Sequence, residues 1–334
     1  MKTVVIGGGA AGIFAAIHCK ALLLERSSHL LTKVRISGGG RCNVTTSTFD
    51  PKLLIQNYPR GGRELLGPFH HFGPQDTVRW FESRGVPLKT ESDGRIFPQS
   101  NNSQTIIDCL MREASNLEIR LQQKIGAIRK VENHFEIEVN DEILCCDKLI
   151  LATGSSKQGY AWAESLGHTI QSPVPSLFTF NVPDSPLKEL SGIAVPDCKV
   201  LLPGTKFVQE GPVLITHFGF SGPAIIKLSA WAARYLFEKQ YKAPLQIEWT
   251  PPFPKRLRRV LTEVIQNYQI DGKTTHKEEF VTCGGVTLKE VDFRNMGSRI
   301  CPGLHFAGEI LDIDGVTGGF NFQNAWTTAF LAAK

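Results

Sequence analysis

The chain has 334 residues, 42% hydrophobic and 21% charged, enough to bury a core and, at roughly 150 residues per domain, to form about two domains. That balance excludes a disordered or collagen-like chain, and no stretch is long and apolar enough to span a membrane. A net charge of +5 suits an anionic ligand and is too small to argue for nucleic acid by itself.

Val4, Val5 and Ile6 form an apolar, β-branched run that predicts a buried parallel strand. Gly7, Gly9 and Gly12 follow at the G-x-G-x-x-G spacing, and residues 13–17 continue as a helix. Each glycine has a separate physical task in a dinucleotide fingerprint: a tight turn, a close backbone approach to a pyrophosphate, and close packing of helix on strand. The helix N-terminus then offers free N–H groups to the phosphates. A second apolar run, Ala21 to Leu24, closes on Glu25 and Arg26. A carboxylate there accepts from a ribose 2′-hydroxyl and selects FAD or NAD over NADP. The helix and the second strand join at Lys20 and Ala21 with almost no turn, so a loop is expected to be missing there.

Ile36 to Asn43 reads Ile-Ser-Gly-Gly-Gly-Arg-Cys-Asn. Three successive glycines are entropically expensive, and such a loop suits a second backbone approach to phosphate or flavin, with Arg41 as charge partner. A flexible surface loop is the plainer alternative. Helices are expected over 76–84 and 104–114. Strands are expected over 118–121, 126–131, 135–139 and 142–146, and a buried strand over 147–152 ends in Thr153-Gly154.

From Pro173 prolines recur between short apolar runs, a texture of antiparallel β-structure. Helices are expected over 224–237 and 255–268, the latter opening with Lys255, Arg256, Arg258 and Arg259, which read as a solvated face more readily than as an RNA site. The end returns to α/β character: a strand at 304–309 finishing in Gly308-Glu309, then Gly318-Gly319-Phe320-Asn321 opening a helix over 322–333. The eight cysteines show neither a C-x-x-C pair nor a zinc spacing, so reduced, packed thiols and no metal are expected. A strand beginning at Thr3 leaves no room for a signal peptide, so a cytoplasmic location is the default expectation.

The fingerprint with Glu25, the Ala152-Thr153-Gly154 strand end, Ala307-Gly308-Glu309 and the glycine pair before the last helix together resemble the two-dinucleotide-binding-domain flavoproteins of the glutathione-reductase type. More narrowly, Ser37-Gly-Gly-Gly-Arg-Cys-Asn43, Thr216-His-Phe-Gly-Phe-Ser-Gly-Pro223, Thr282-Cys-Gly-Gly-Val-Thr-Leu-Lys-Glu290 and Gly308-Glu-Ile-Leu-Asp-Ile-Asp-Gly315 resemble the HI0933-like (BaiN/YhiN-type) FAD-dependent oxidoreductases. The resemblance runs from about residue 3 to residue 333. It implies an α/β Rossmann-type FAD-binding domain (1–172 and 297–334), an inserted β-barrel domain (173–222 and 278–296) and a small helical insertion (223–277). It also implies FAD as cofactor. Gly7, Gly9, Ala11 and Gly12 would hold the pyrophosphate, and Glu25 with Arg26 the adenosine ribose. Gly40, Arg41, Cys42 and Asn43 would line the cofactor, and Thr153 and Gly154 would sit near the nucleotide. Gly308 and Glu309 would stand by the ribitol, and Gly319, Phe320 and Asn321 beside the pyrimidine end of the flavin. Set against the family pattern, the segments after Gly154 and over 268–280 look short.

Bound flavin carries the redox chemistry, and the protein positions substrate and stabilises charge. No general base stands out. His217 is the best candidate, with a hydrogen-bonded packing histidine as the alternative. His70-His71 reads as structural or surface. The leading expectation is hydride transfer between flavin and a small organic substrate, a C=C compound or an amine or carbonyl compound, with NAD(P)H as a transient reductant. An RNA-modifying flavoprotein and a non-catalytic FAD-binding protein are the alternatives.

Overall fold

The computed structural model describes residues 2–261, 263–274 and 281–334. Contacts divide the chain into a first unit, running up to Pro173 and resuming over Gly284–Lys334, and a second unit, Val174–Cys283. The breaks fall at 173/174 and 283/284, so residues 284–296, expected in the inserted domain, belong to the first unit. Val291–Asp292 pairs antiparallel with Gly297–Ser298, which joins the first unit's main sheet through His305.

That sheet has seven strands. In order across it they are Val291–Asp292, Gly297–Ser298, Leu304–Phe306, Lys148–Leu151, Thr3–Ile6, Leu22–Leu24 and Ile119–Arg120. The last five run parallel. Parallel strands are covered on both faces and need continuous apolar runs, and Val4, Val5, Leu23, Leu149 and Ile150 are fully buried. The crossover from Thr3–Ile6 to Leu22–Leu24 is the helix Ala10–Cys19. Lys20 makes the reversal for which the sequence shows no turn: it adopts a left-handed φ of 52°, and its N–H returns to the Ala16 carbonyl. A single left-handed residue therefore makes the reversal between helix and strand.

The core beside this sheet is aromatic. The Phe14 ring lies 4.9 Å from that of Trp80, 5.2 Å from Trp326 and 5.6 Å from Phe72. These contacts seat the last helix, Phe320–Ala333, against the first one. Two three-stranded antiparallel sheets complete the unit, one of Thr45–Thr46, Arg95–Pro98 and Leu88–Thr90, the other spanning Ile125–Val131 to Glu142–Cys146.

The second unit is a seven-stranded antiparallel sheet over a core that includes Phe180, Phe220, Leu228 and Trp249. Its two terminal strands, Ile265–Asp271 and Lys273–Thr274, are separated only by Gly272. The helix expected over 224–237 is split into Pro223–Trp231 and Ala233–Glu238. The helix expected over 255–268 ends after Lys255–Arg258, and Ile265–Asp271 is a strand instead. The reason is tertiary. Residues 265–271 find an unbroken antiparallel partner in Lys242–Trp249, and the pairing overrides a modest helical preference. The expected helical insertion over 223–277 thus carries strands as well as helices. Part of the short 268–280 segment, residues 275–280, lies outside the described residues.

Candidate dinucleotide site

Three turns meet where the parallel strands Thr3–Ile6, Lys148–Leu151 and Leu304–Phe306 end. A Cβ on Gly7 would lie 2.4 Å from the Ala152 carbonyl oxygen, and one on Gly308 would lie 2.9 Å from the Ala11 Cβ. The carboxyl ends of adjacent parallel strands are where open α/β sheets bind ligands.

The three fingerprint glycines differ physically in the way the spacing predicts. Gly7 turns the chain with φ 115°. Gly12 permits contact, since a Cβ there would sit 1.8 Å from the Gly7 carbonyl oxygen. Gly9 does neither: its φ is an ordinary −82°, and a Cβ there would meet nothing within 4 Å. Gly9 is also the N-cap of Ala10–Cys19 and makes no side-chain cap. Glu25 closes this turn from the next strand. Its carboxylate accepts from Gly8 N at 2.6 Å and from Ser27 N at 2.8 Å, leaving lone pairs for ribose hydroxyls. Arg26 is exposed.

The triple glycine forms the end of the helix Thr32–Gly40, which leaves helical geometry at Ser37, Gly38 and Gly39. Gly38, Gly39 and Gly40 all have positive φ, and Gly39 and Gly40 face open space. Arg41, expected to pair with a ligand's charge, instead reaches Glu91 at 2.7 Å and stacks 4.0 Å over the Phe97 ring. Cys42 is fully buried, and burial pushes its thiol up to about 12. Asn43 presents its side-chain oxygen to Gly319 N at 2.8 Å and its nitrogen to the Thr45 carbonyl at 2.9 Å. It thereby ties this loop to the start of the last helix.

That start is heavily braced. Gly319 has φ 90°, and a Cβ on it would lie 2.4 Å from the Thr45 carbonyl oxygen. Asn321 grips Gly315 twice, accepting from its N–H at 2.8 Å and donating to its carbonyl at 2.9 Å. The Phe320 carbonyl accepts from the Tyr58 hydroxyl at 2.7 Å. Glu309 pairs with Lys33 at 2.7 Å and stands 3.6 Å from the Cβ position of Gly154.

A family match decides the class. Residues 1–334 match the family described as HI0933-like protein Rossmann domain. The chain belongs to the HI0933-like family of FAD-dependent oxidoreductases. It is 27% identical over 392 aligned positions to the ribosomal RNA dihydrouridine synthase of Escherichia coli, covering 99% of this chain and 96% of that one. It is 28% identical over 403 positions to the 3-dehydro-bile acid delta(4,6)-reductase of Clostridium scindens, covering 99% and 97%. Both alignments are longer than this chain, so these relatives carry insertions relative to it. Among solved structures, 3-ketosteroid delta1-dehydrogenase from Sterolibacterium denitrificans shares the fold with a TM-score of 0.56 at 12% identity, covering 99% of this chain and 98% of that one. A flavocytochrome c3 fumarate reductase gives 0.53 at 15%, covering 99% and 77%.

The residues of this HI0933-like chain fit FAD. The face of Gly9 is open where a pyrophosphate would lie, and the Glu25 carboxylate is a fitting acceptor for adenosine ribose hydroxyls. At the neighbouring turn the Thr153 hydroxyl is buried without a partner among the described residues, a group that an incoming polar ligand can satisfy. The remaining expected residue, His217, is exposed in the second unit between Val208–Thr216 and Gly219–Ser221, its ring 3.8 Å from that of Phe218. His70 and His71 are exposed, and no metal-ligand cluster occurs among the described residues.

Three features have no signature in the sequence. Asp314, fully buried, forms an ion pair with Arg60 across 254 positions. Gln323, also fully buried, accepts from Thr45 at 2.6 Å and Thr77 at 2.9 Å and donates to Thr327 at 3.0 Å. His168 lies between Glu290 at 3.1 Å and the Ser298 hydroxyl at 2.7 Å. This last trio has the order of a nucleophile, base and acid. However, the Ser298 oxygen also accepts from Ile300 N at 3.0 Å and Cys301 N at 2.7 Å, which occupies both lone pairs. The trio is a structural lock. A cavity of about 820 Å³ bordered by Gly126, Arg129, Trp162 and Cys301 contains none of the glycine-turn residues.

Proposed function

We propose that the chain uses FAD to transfer hydride to an electron-poor carbon–carbon double bond conjugated to a carbonyl. One observation carries this reading. Two relatives matched over nearly their whole length bear names of different substrates but one reaction. Dihydrouridine differs from uridine by two hydrogens across a double bond conjugated to a carbonyl, and a delta(4,6)-reductase of a 3-oxo steroid saturates the same kind of bond. Bound FAD would supply the hydride chemistry.

The protein's part is positioning and charge stabilisation. Gly7, Gly9, Ala11 and Gly12 would hold the pyrophosphate, Glu25 and Arg26 the adenosine ribose, and Gly308 and Glu309 the ribityl chain. Gly40, Arg41, Cys42 and Asn43 would line the cofactor beside Thr153 and Gly154. The N-terminus of Phe320–Ala333, held by Asn43 and Asn321, would place backbone N–H groups at the pyrimidine end, where a reduced flavin gathers negative charge. Arg41 would contribute through its stack on Phe97 and its pairing with Glu91, which fix the loop it belongs to.

The test is anaerobic. FAD-loaded protein reduced photochemically should be reoxidised in stopped flow by conjugated enones and not by saturated ketones, imines or amines. Equal reoxidation by saturated ketones or imines would overturn the substrate class. A second reading, a uracil ring within RNA, is favoured by the dihydrouridine synthase relative and by the exposed Lys255, Arg256, Arg258 and Arg259. It requires reoxidation by uridine-containing RNA that weakens steeply with salt.

A further inference from the structure

We propose that the phenol of Tyr160 is a hydrogen-bond donor to bound FAD, aimed at the oxygen-rich stretch of ribityl hydroxyls and phosphates between its flavin and adenosine ends. The proposal rests on the FAD reading above and adds a residue that the glycine fingerprint does not mark.

Tyr160 is 6% exposed, and its hydroxyl, closed to solvent, has no partner among the described residues. Burying an O–H without an acceptor is unfavourable, and buried polar groups almost always find one. A residue kept only for packing would serve as well as phenylalanine. The ring's position gives the hydroxyl a use. Tyr160 is on the helix Lys157–Ser165, which begins just after the Thr153-Gly154 turn. Gly159 presses that helix onto the strand end, since a Cβ there would lie 1.9 Å from the Thr153 hydroxyl oxygen. The phenol also feels the carboxylates of Glu309 and Asp312 from the neighbouring turn. The Thr153 hydroxyl, against which Gly159 packs, is in the same unpartnered condition. Burial first, then the two carboxylates, raise the phenol's affinity for its proton. The group is held as a donor, the form that ribityl and phosphate oxygens need.

Tyr160→Phe removes this O–H and little else. Titrating apo-protein with FAD and following flavin fluorescence should show a dissociation constant at least tenfold higher than for the unsubstituted protein. The melting temperature of the apo-variant should be unchanged or higher, because an unsatisfied group has been removed. A variant that binds FAD normally, or whose apo form melts lower or fails to fold, would overturn the proposal by showing that the phenol serves packing. Titrations with ADP locate the contact. A loss shared by ADP places it at the pyrophosphate, and a loss confined to FAD places it on the ribityl chain. If the unsubstituted protein itself binds no FAD, the cofactor reading fails first, and that result is separate from any effect of the substitution.

Discussion

Gly9 and Gly12 lie three positions apart in one motif, and the structure gives them opposite responses to the same added methyl group. A Cβ at position 12 would sit 1.8 Å from the Gly7 carbonyl oxygen, so Gly12→Ala must push the first helix off the sheet. Overpacking of this kind costs about 1–3 kcal/mol or more, and Gly12→Ala should unfold at clearly lower urea. At position 9 the methyl would meet no protein atom within 4 Å. Alanine is a poorer N-cap than glycine by about 0.5–1 kcal/mol. It also restricts the unfolded chain, a gain of about 0.4–1 kcal/mol. The two effects nearly cancel, so the apo-protein's stability should stay within about 0.5 kcal/mol. The space the methyl enters is the one assigned to the pyrophosphate. Losing one charge-assisted N–H contact of about 1.5–3 kcal/mol should weaken FAD ten- to a hundredfold. Urea denaturation of both apo-variants beside FAD titration of Gly9→Ala checks the pair. Normal FAD binding by Gly9→Ala would refute the placement of the phosphates against this turn.

Breaking the Arg60–Asp314 ion pair by Asp314→Ala should cost up to about 3 kcal/mol, because the half-buried Arg60 is left charged without that carboxylate; urea unfolding followed by tryptophan fluorescence measures it. Cys42→Ser should leave the rate of flavin reduction unchanged, since a fully buried thiol raised to about 12 is no thiolate at neutral pH; a long-wavelength charge-transfer band present only in the unsubstituted protein would show otherwise. Burial lowers His18 and His168 below the usual 6.5 and His305 to about 4. The unfolded chain thus takes up more protons, and stability should be full above about pH 6.5 and decline as pH falls toward 4; His305→Asn should flatten that decline in urea titrations at pH 7.5 and 5. With the strand–glycine–helix unit at residues 4–17 assigned to FAD under the proposed function, NAD(P)H should give parallel double-reciprocal lines; intersecting lines together with a ternary complex on titration would reveal a separate nucleotide site.

The parts of the site written in the sequence are those in which one residue type answers a local backbone demand. Gly7, Gly9 and Gly12 could be sorted by role because turn, approach and packing each follow from position along a single turn of chain. Glu25 was legible for the same reason, ending the second strand. Arg41 shows where such reading stops. Its charge pointed to a ligand, while its partner, Glu91, arrives from a strand pair fifty residues away. The Arg60–Asp314 pair, the Gln323 network and the Tyr160 hydroxyl are invisible locally because the strand order brings together residues distant in the chain. The helix expected over 255–268 failed by the same mechanism, its second half being claimed by the edge of Lys242–Trp249.

The central claim is hydride transfer from FAD to a conjugated double bond, and deuterium tracing tests it most directly. FAD-loaded protein is reduced photochemically in D2O under anaerobic conditions, so that the exchangeable hydride position of the flavin carries deuterium, and mixed with a conjugated enone. The expected product is a saturated ketone carrying the transferred deuterium on the carbon β to the carbonyl, formed in step with return of the oxidised flavin absorbance. Deuterium on the carbonyl carbon of an unsaturated alcohol, or flavin that stays reduced before every conjugated acceptor, would contradict it.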